Sequence, residues 1–101
     1  TICIFNPLYA ETTSSHTLNV ASKTYVMKVA IREIDRLVMA KAIDKSWQTQ
    51  PIISMEKKAF NKNLEWVIGF QNKKIKDKNK QMLYVFVTIN GVLIGSNYTG
   101  E

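Results

Sequence analysis

Two hydrophobic periods divide this chain. From Ser22 to about Ala42, Val26, Ala30, Ile34 and Leu37 recur at helical spacing, flanked by Met27, Val29, Ile31 and Val38. Lys28, Arg32, Asp35 and Arg36 fall on the opposite arc. The pattern predicts one amphipathic helix, N-capped by Ser22, with an apolar face wide enough to lie on a sheet. Asp44-Lys45-Ser46-Trp47 then reads as a short turn, with Trp47 packed back under the helix end. Pro51 opens the next segment, a position where a strand tolerates proline.

Beyond Pro51 the period shortens toward two. Ile52–Phe60 is the weakest strand, with Ile53 and Met55 alternating against Ser54 and Glu56. Asn61-Lys62-Asn63 is a turn, and Leu64–Phe70 returns with Trp66, Ile68 and Phe70 on one face. Residues 71–81 have no room for a core and read as a long hairpin loop. Met82–Ile89 is almost wholly apolar, so it is expected to be a central strand buried on both faces. Asn90-Gly91 predicts a type I′ turn into a last strand, Val92–Tyr98. The expected fold is α+β, one helix packed on a four-stranded antiparallel sheet in the order α-β-β-β-β, forming a single domain over 22–101.

Several blocks then carry a family likeness. They are Leu37-Val38, Ile43-Asp44-x-Ser46-Trp47, Glu56-Lys57-Lys58-x-Phe60, Glu65-Trp66-Val67-x-x-Phe70, Leu83-Tyr84-Val85-Phe86 and Asn97-Tyr98-Thr99-Gly100. In this order they resemble a family of small secreted or periplasmic proteins of Gram-negative bacteria with no established activity. Their layout is similar to the PepSY type of domain. The resemblance spans about residues 20–101. It implies export, a helix-plus-sheet fold, no catalysis and a binding role toward a protein or peptide. It also implies that Asp44, Trp47, Glu65, Trp66, Tyr84, Asn97 and Tyr98 are family-motif residues with structural roles. Members often have a His-rich mature N-terminus and a glycine at the helix end. This chain has only His16 in the first region, and Lys41 or Ala42 at the second.

The beginning of the chain fits export on its own pattern. Residues 1–10 are apolar and uncharged, end in Ala10 and precede a polar stretch that contains His16, so they read as a signal-peptide remnant. Residues 11–21 read as a polar disordered tail. Cys3 would be discarded on cleavage after Ala10.

Composition changes the picture mainly through charge. The chain has 101 residues, enough for one small domain, and a formal net charge of +6. Five Lys and one Asp in residues 71–81 supply +4 of it, leaving +2 elsewhere. Lys73, Lys74, Lys76, Lys78 and Lys80 are therefore candidate binders of anionic envelope surfaces or lipids, with solubilisation of the hairpin as the plain alternative. Lys57 and Lys58 sit in the first strand, where they either guard an edge or select acidic partners. Nucleic acid is not expected, since the aromatics near the loop fall at strand spacing and read as core.

Catalysis is not expected either. A nucleophile–base pair needs a partner such as His, and the chain holds one His and one Cys, both near its start. Glu33 and Asp35 point different ways on the helix, while Glu56 and Glu65 could face one another across the first hairpin. No glycine-rich phosphate loop is present. No cofactor is expected, and metal could use only His16 with Glu11 or a processed N-terminal amine.

Overall fold

The computed structural model describes residues 20–101. The expected signal-peptide remnant, Cys3, His16 and the expected tail up to residue 19 lie outside the described residues.

Helix α1, Lys23–Met39, begins where Ser22 is still extended and its Oγ accepts the Tyr25 backbone N–H at 3.1 Å. That bond satisfies one free donor of the first turn and contributes about 1 kcal/mol. The helix stops before Ala42 because Lys41 adopts a left-handed conformation, φ 61°. The Lys41 N–H donates to the Val38 carbonyl and the Ala42 N–H to the Leu37 carbonyl, both at 2.9 Å. These are the paired bonds of a Schellman cap, a position that glycine fills most easily. With a Cβ the left-handed conformation costs roughly 1 kcal/mol.

Four antiparallel strands follow: β1 Ile52–Phe60, β2 Asn63–Gln71, β3 Met82–Thr88 and β4 Leu93–Asn97. They form one sheet in the order β1-β2-β3-β4, so the layout is the expected α-β-β-β-β with one helix packed on the sheet. Two cross-strand rows define its faces. Met55, Ile68, Val85 and Ser96 lie in register on the helix side. Ser54, Gly69, Tyr84 and Asn97 lie in register on the other side.

The core forms where α1 meets the central strands. Val26, Ala30 and Ile34 close on Ile68 and Phe70 of β2 and on Leu83, Val85 and Val87 of β3, with Trp47 sealing one end. Each large apolar side chain removed from water stabilises the fold by roughly 1.5–3 kcal/mol. The helix face needs its wide apolar arc because it spans two strands at once.

Three local expectations are corrected. β3 is fully buried on the helix side only; on the other side Phe86 is buried while Met82, Tyr84 and Thr88 are half-buried. In β1 a register shift between Ile52 and Ser54 leaves Ile53 exposed, so the Ile53/Met55 alternation breaks. The type I′ turn is at Asn61-Lys62, where both residues have positive φ (49° and 72°) between the paired Phe60 and Asn63.

Asn90-Gly91 belongs instead to a three-residue loop. The Gly91 N–H donates to the Thr88 carbonyl at 2.9 Å, the Thr88 N–H donates to the Val92 carbonyl at 2.8 Å, and Gly91 alone is left-handed, φ 90°. A Cβ on Gly91 would stand 2.6 Å from Tyr25 Cε2, so packing as well as the positive φ requires glycine here. Beside it the Ala21 N–H donates to the Ile89 carbonyl at 2.8 Å, which ties the helix entrance to the β3–β4 turn.

Candidate functional site

The connection from β2 to β3 departs most from its expected character. Asn72 is fully buried. Its Nδ2 donates to Ser46 Oγ at 2.8 Å and its Oδ1 accepts the Lys74 N–H at 3.0 Å. Its backbone N–H donates to the Gln81 carbonyl at 2.8 Å. Ile75 packs against the core, and Gln81 Nε2 donates to the Ile75 carbonyl at 2.8 Å. Asp77 caps a 3-10 turn, Lys78–Lys80, by accepting the Asn79 N–H at 3.0 Å. The loop is thus a hydrogen-bonded scaffold with its own small share of the core.

That scaffold holds Lys73, Lys74, Lys76, Lys78 and Lys80, all exposed. The Ser46 bond also brings in the segment after α1, where a second 3-10 turn, Lys45–Thr49, follows the helix cap. Lys41 and Lys45 line a hollow of about 600 Å³ there, together with Val38, Ile43 and Asp44. Lysines from the helix cap, the following turn and the β2–β3 connection therefore share one end of the molecule, opposite the Gly91 turn. Lys41 and Lys45 also face the negative end of the α1 dipole, a structural reason for their charge. Met39, the last residue of α1, precedes Lys41 by two positions and is 81% exposed.

The two acids at this end are used locally. Asp44 Oδ2 accepts the Ser46 N–H at 2.9 Å and the Ser46 hydroxyl at 2.6 Å. Those bonds, the hydroxyl's first, hold the Asp44 carboxyl below its ordinary range. Asp77 serves as the cap described above. Among the described residues the ion pairs are Arg36–Glu33 and Lys58–Glu56, so no carboxylate is paired with a lysine of this end. Lys80 alone has an aromatic contact, its Nζ 5.8 Å from the centre of the Tyr98 ring.

Lys57 and Lys58 are not part of this cluster. They occupy β1, one of the two edge strands, whose outer edge pairs with no described strand. They point to opposite faces. Lys57 lies opposite Trp66 with its Nζ 5.1 Å from the ring centre. Lys58 lies opposite Glu65, and its Nζ is 3.8 Å from Glu56 Oε1.

The residues of the family blocks sit at several places in the fold. Trp47 is buried in the core, while Trp66 and Tyr98 pack against it half-buried. Asn97 Oδ1 accepts the Gly100 N–H at 2.7 Å and the Thr99 N–H at 3.1 Å, and its Nδ2 donates to the Glu101 carbonyl at 3.0 Å. This turn sits on the Tyr84 ring, which also covers Gly69: a Cβ at either glycine would stand 3.3–3.4 Å from ring carbons. Glu65 borders a groove of about 330 Å³ floored by Phe60, Phe86 and Gly95.

The carboxylates do not converge on a reaction centre. Glu33 is buried and held bidentate by Arg36 Nε and Nη2 at 2.7 and 2.8 Å, which raises the Arg36 pKa. Glu56 and Glu65 are not cross-strand partners, because the register sets Glu56 against Val67. Among the described residues no group of three His, Cys, Asp or Glu could hold a metal ion. No helix among them is long and apolar enough to cross a membrane.

The residues that sequence reasoning missed are Asn72, Ser46, Lys41, Lys45 and Met39. Asp44-x-Ser46 carried a capping signal, but nothing local linked Ser46 to a residue 26 positions away.

No curated protein and no solved structure matches the chain. One family model does, from residue 1 to residue 101, and by that match the chain belongs to the Family of unknown function (DUF6488).

Proposed function

We propose that this protein is a non-catalytic binding module of PepSY-like type, exported as its family resemblance implies, that holds a polyanionic partner at its basic end. The observation that carries this reading is the disposition of charge at that end. Lysines from three chain segments stand on a scaffold locked by Asn72, while Asp44 and Asp77 are spent on capping turns. Lysine ammonium groups attract anions without the bidentate geometry of arginine, which suits a distributed charge better than one shaped ligand. The partner class is accordingly an acidic polypeptide segment or an anionic envelope component.

The test compares the wild type with a variant in which Lys73, Lys74, Lys76, Lys78 and Lys80 are all changed to Gln. Binding to inorganic polyphosphate is measured at two salt concentrations. Wild-type binding should weaken as salt rises, and the variant should lose both the binding and most of its salt dependence. Equal binding by the two proteins would reject the reading. Export is tested separately, by recovery of the native protein in the osmotic-shock fraction of its host.

The free edge of β1 favours a second reading, addition of an extended acidic peptide beside Lys57 and Lys58. Hydrogen-exchange protection gained by β1 amides on adding a peptide would support it. Unchanged exchange at saturating peptide would rule it out.

A further inference from the structure

We infer that the partner at the basic end is an anionic lipid surface, with Met39 inserted among the headgroups; this rests on the polyanion reading above. Three features separate a surface from a soluble ligand. The lysines come from the end of α1, the turn after it and the β2–β3 connection, and those at 73–80 are exposed rather than aimed into one cleft. A flat layer of charge can meet such a spread, whereas a compact anion meets only part of it. The hollow between Lys41 and Lys45 is lined by Val38 and Ile43 as well as by charge, so its walls are half apolar in kind.

The third feature is Met39. It is the most exposed large apolar side chain among the described residues, at 81%, and it stands at the basic end. A single exposed apolar side chain is ordinary on a soluble protein. Two positions from Lys41 it also suits a membrane interface, which takes apolar side chains into the headgroup boundary while lysines stay at the phosphates. Met39 is flexible enough to fit an irregular lipid layer. At the other end of the molecule Val92 is 61% exposed but has no comparable lysine cluster around it, so it provides an internal control.

The experiment is co-sedimentation with vesicles of phosphatidylcholine alone and of phosphatidylcholine containing about one third phosphatidylglycerol. Polyphosphate binding is measured in parallel. The wild-type protein should sediment with the anionic vesicles only. Met39→Ser should weaken that partition by about five- to tenfold and leave polyphosphate binding unchanged; Val92→Ser should alter neither. Both changed side chains are exposed, so folding is not at issue. Polyphosphate binding without vesicle binding would overturn the lipid inference and leave the polyanion reading standing. An equal effect of Met39→Ser and Val92→Ser would remove Met39 from the contact. Loss of both kinds of binding in the wild type would sink the two readings together.

Discussion

Asn72 Nδ2 and Ser46 Oγ are 2.8 Å apart, and this one bond joins the turn after the helix to the connection between the second and third strands. Ser46 Oγ in turn donates to Asp44 Oδ2, so the cap of the 3-10 turn, a buried amide and a lysine-bearing loop form one chain of hydrogen bonds. Because Asn72 is fully buried, every polar group it leaves unsatisfied counts at the full cost of desolvation.

Asn72→Ala should therefore destabilise the protein by about 2–3 kcal/mol, more than an exposed asparagine change would. It removes the donor to Ser46, the acceptor for the Lys74 N–H and the packing of the amide itself. Urea unfolding followed by tryptophan fluorescence measures this, since Trp47 lies in the neighbouring turn. A change below about 0.5 kcal/mol would mean that water replaces the amide at no cost.

Lys41→Gly should stabilise the fold by roughly 1 kcal/mol, because glycine accepts the left-handed cap without a Cβ clash. Lys41→Ala serves as the control: alanine keeps the Cβ and loses only the charge facing the helix dipole, so it should destabilise by about 0.5 kcal/mol or less. Thermal unfolding of the three proteins distinguishes a backbone effect from an effect of charge.

Gly91→Ala should destabilise by about 2 kcal/mol, through both the positive φ and the collision with the Tyr25 ring. Changing Tyr25 to Ala as well removes the collision but leaves the strained φ. The double variant should then recover only part of the loss beyond that of Tyr25→Ala alone. Full recovery would show that the backbone at residue 91 relaxes freely.

Asp44 should make stability depend on pH in the acid range. Its carboxyl is held low in the folded protein by the Ser46 hydroxyl and backbone N–H. Such a group supports folding fully above its unfolded pKa and loses that support as pH falls through the lower, folded pKa. Wild-type unfolding midpoints should accordingly fall below about pH 4. Asp44→Asn keeps a capping oxygen without the titration, so its midpoints should fall less steeply over the same range.

The helix, the four strands and their meander order were legible because each rests on local period and turn composition. The turn chemistry was legible less well. Asn90-Gly91 carries the stronger type I′ signal, yet it lies in a three-residue loop bonded to the helix entrance through Ala21 and Ile89, while Asn61-Lys62 takes the type I′ form. Lys41 at a left-handed cap runs against residue preference and is tolerated because the cap bonds of Lys41 and Ala42 offset the strain. The lysine loop was visible as charge, but its rigidity comes from Asn72, whose partner is remote in sequence. Lys45 joined the site beside Ser46, while Lys41 and Met39 joined it through the position of the helix end.

The meander has a consequence for how the chain folds. Every strand pairs with its neighbour in sequence, so each hairpin can close over a short span. The Ala21–Ile89 bond and the Tyr25–Gly91 contact instead join the start of the helix to the last turn. Docking of the helix thus closes the longest loop in the domain and should come after the hairpins, since loop entropy must be met before those contacts are made. We expect Ser22→Ala, at the helix entrance, to speed unfolding with little effect on the folding rate. A folding rate slowed in proportion to the lost stability would place the helix in the nucleus instead.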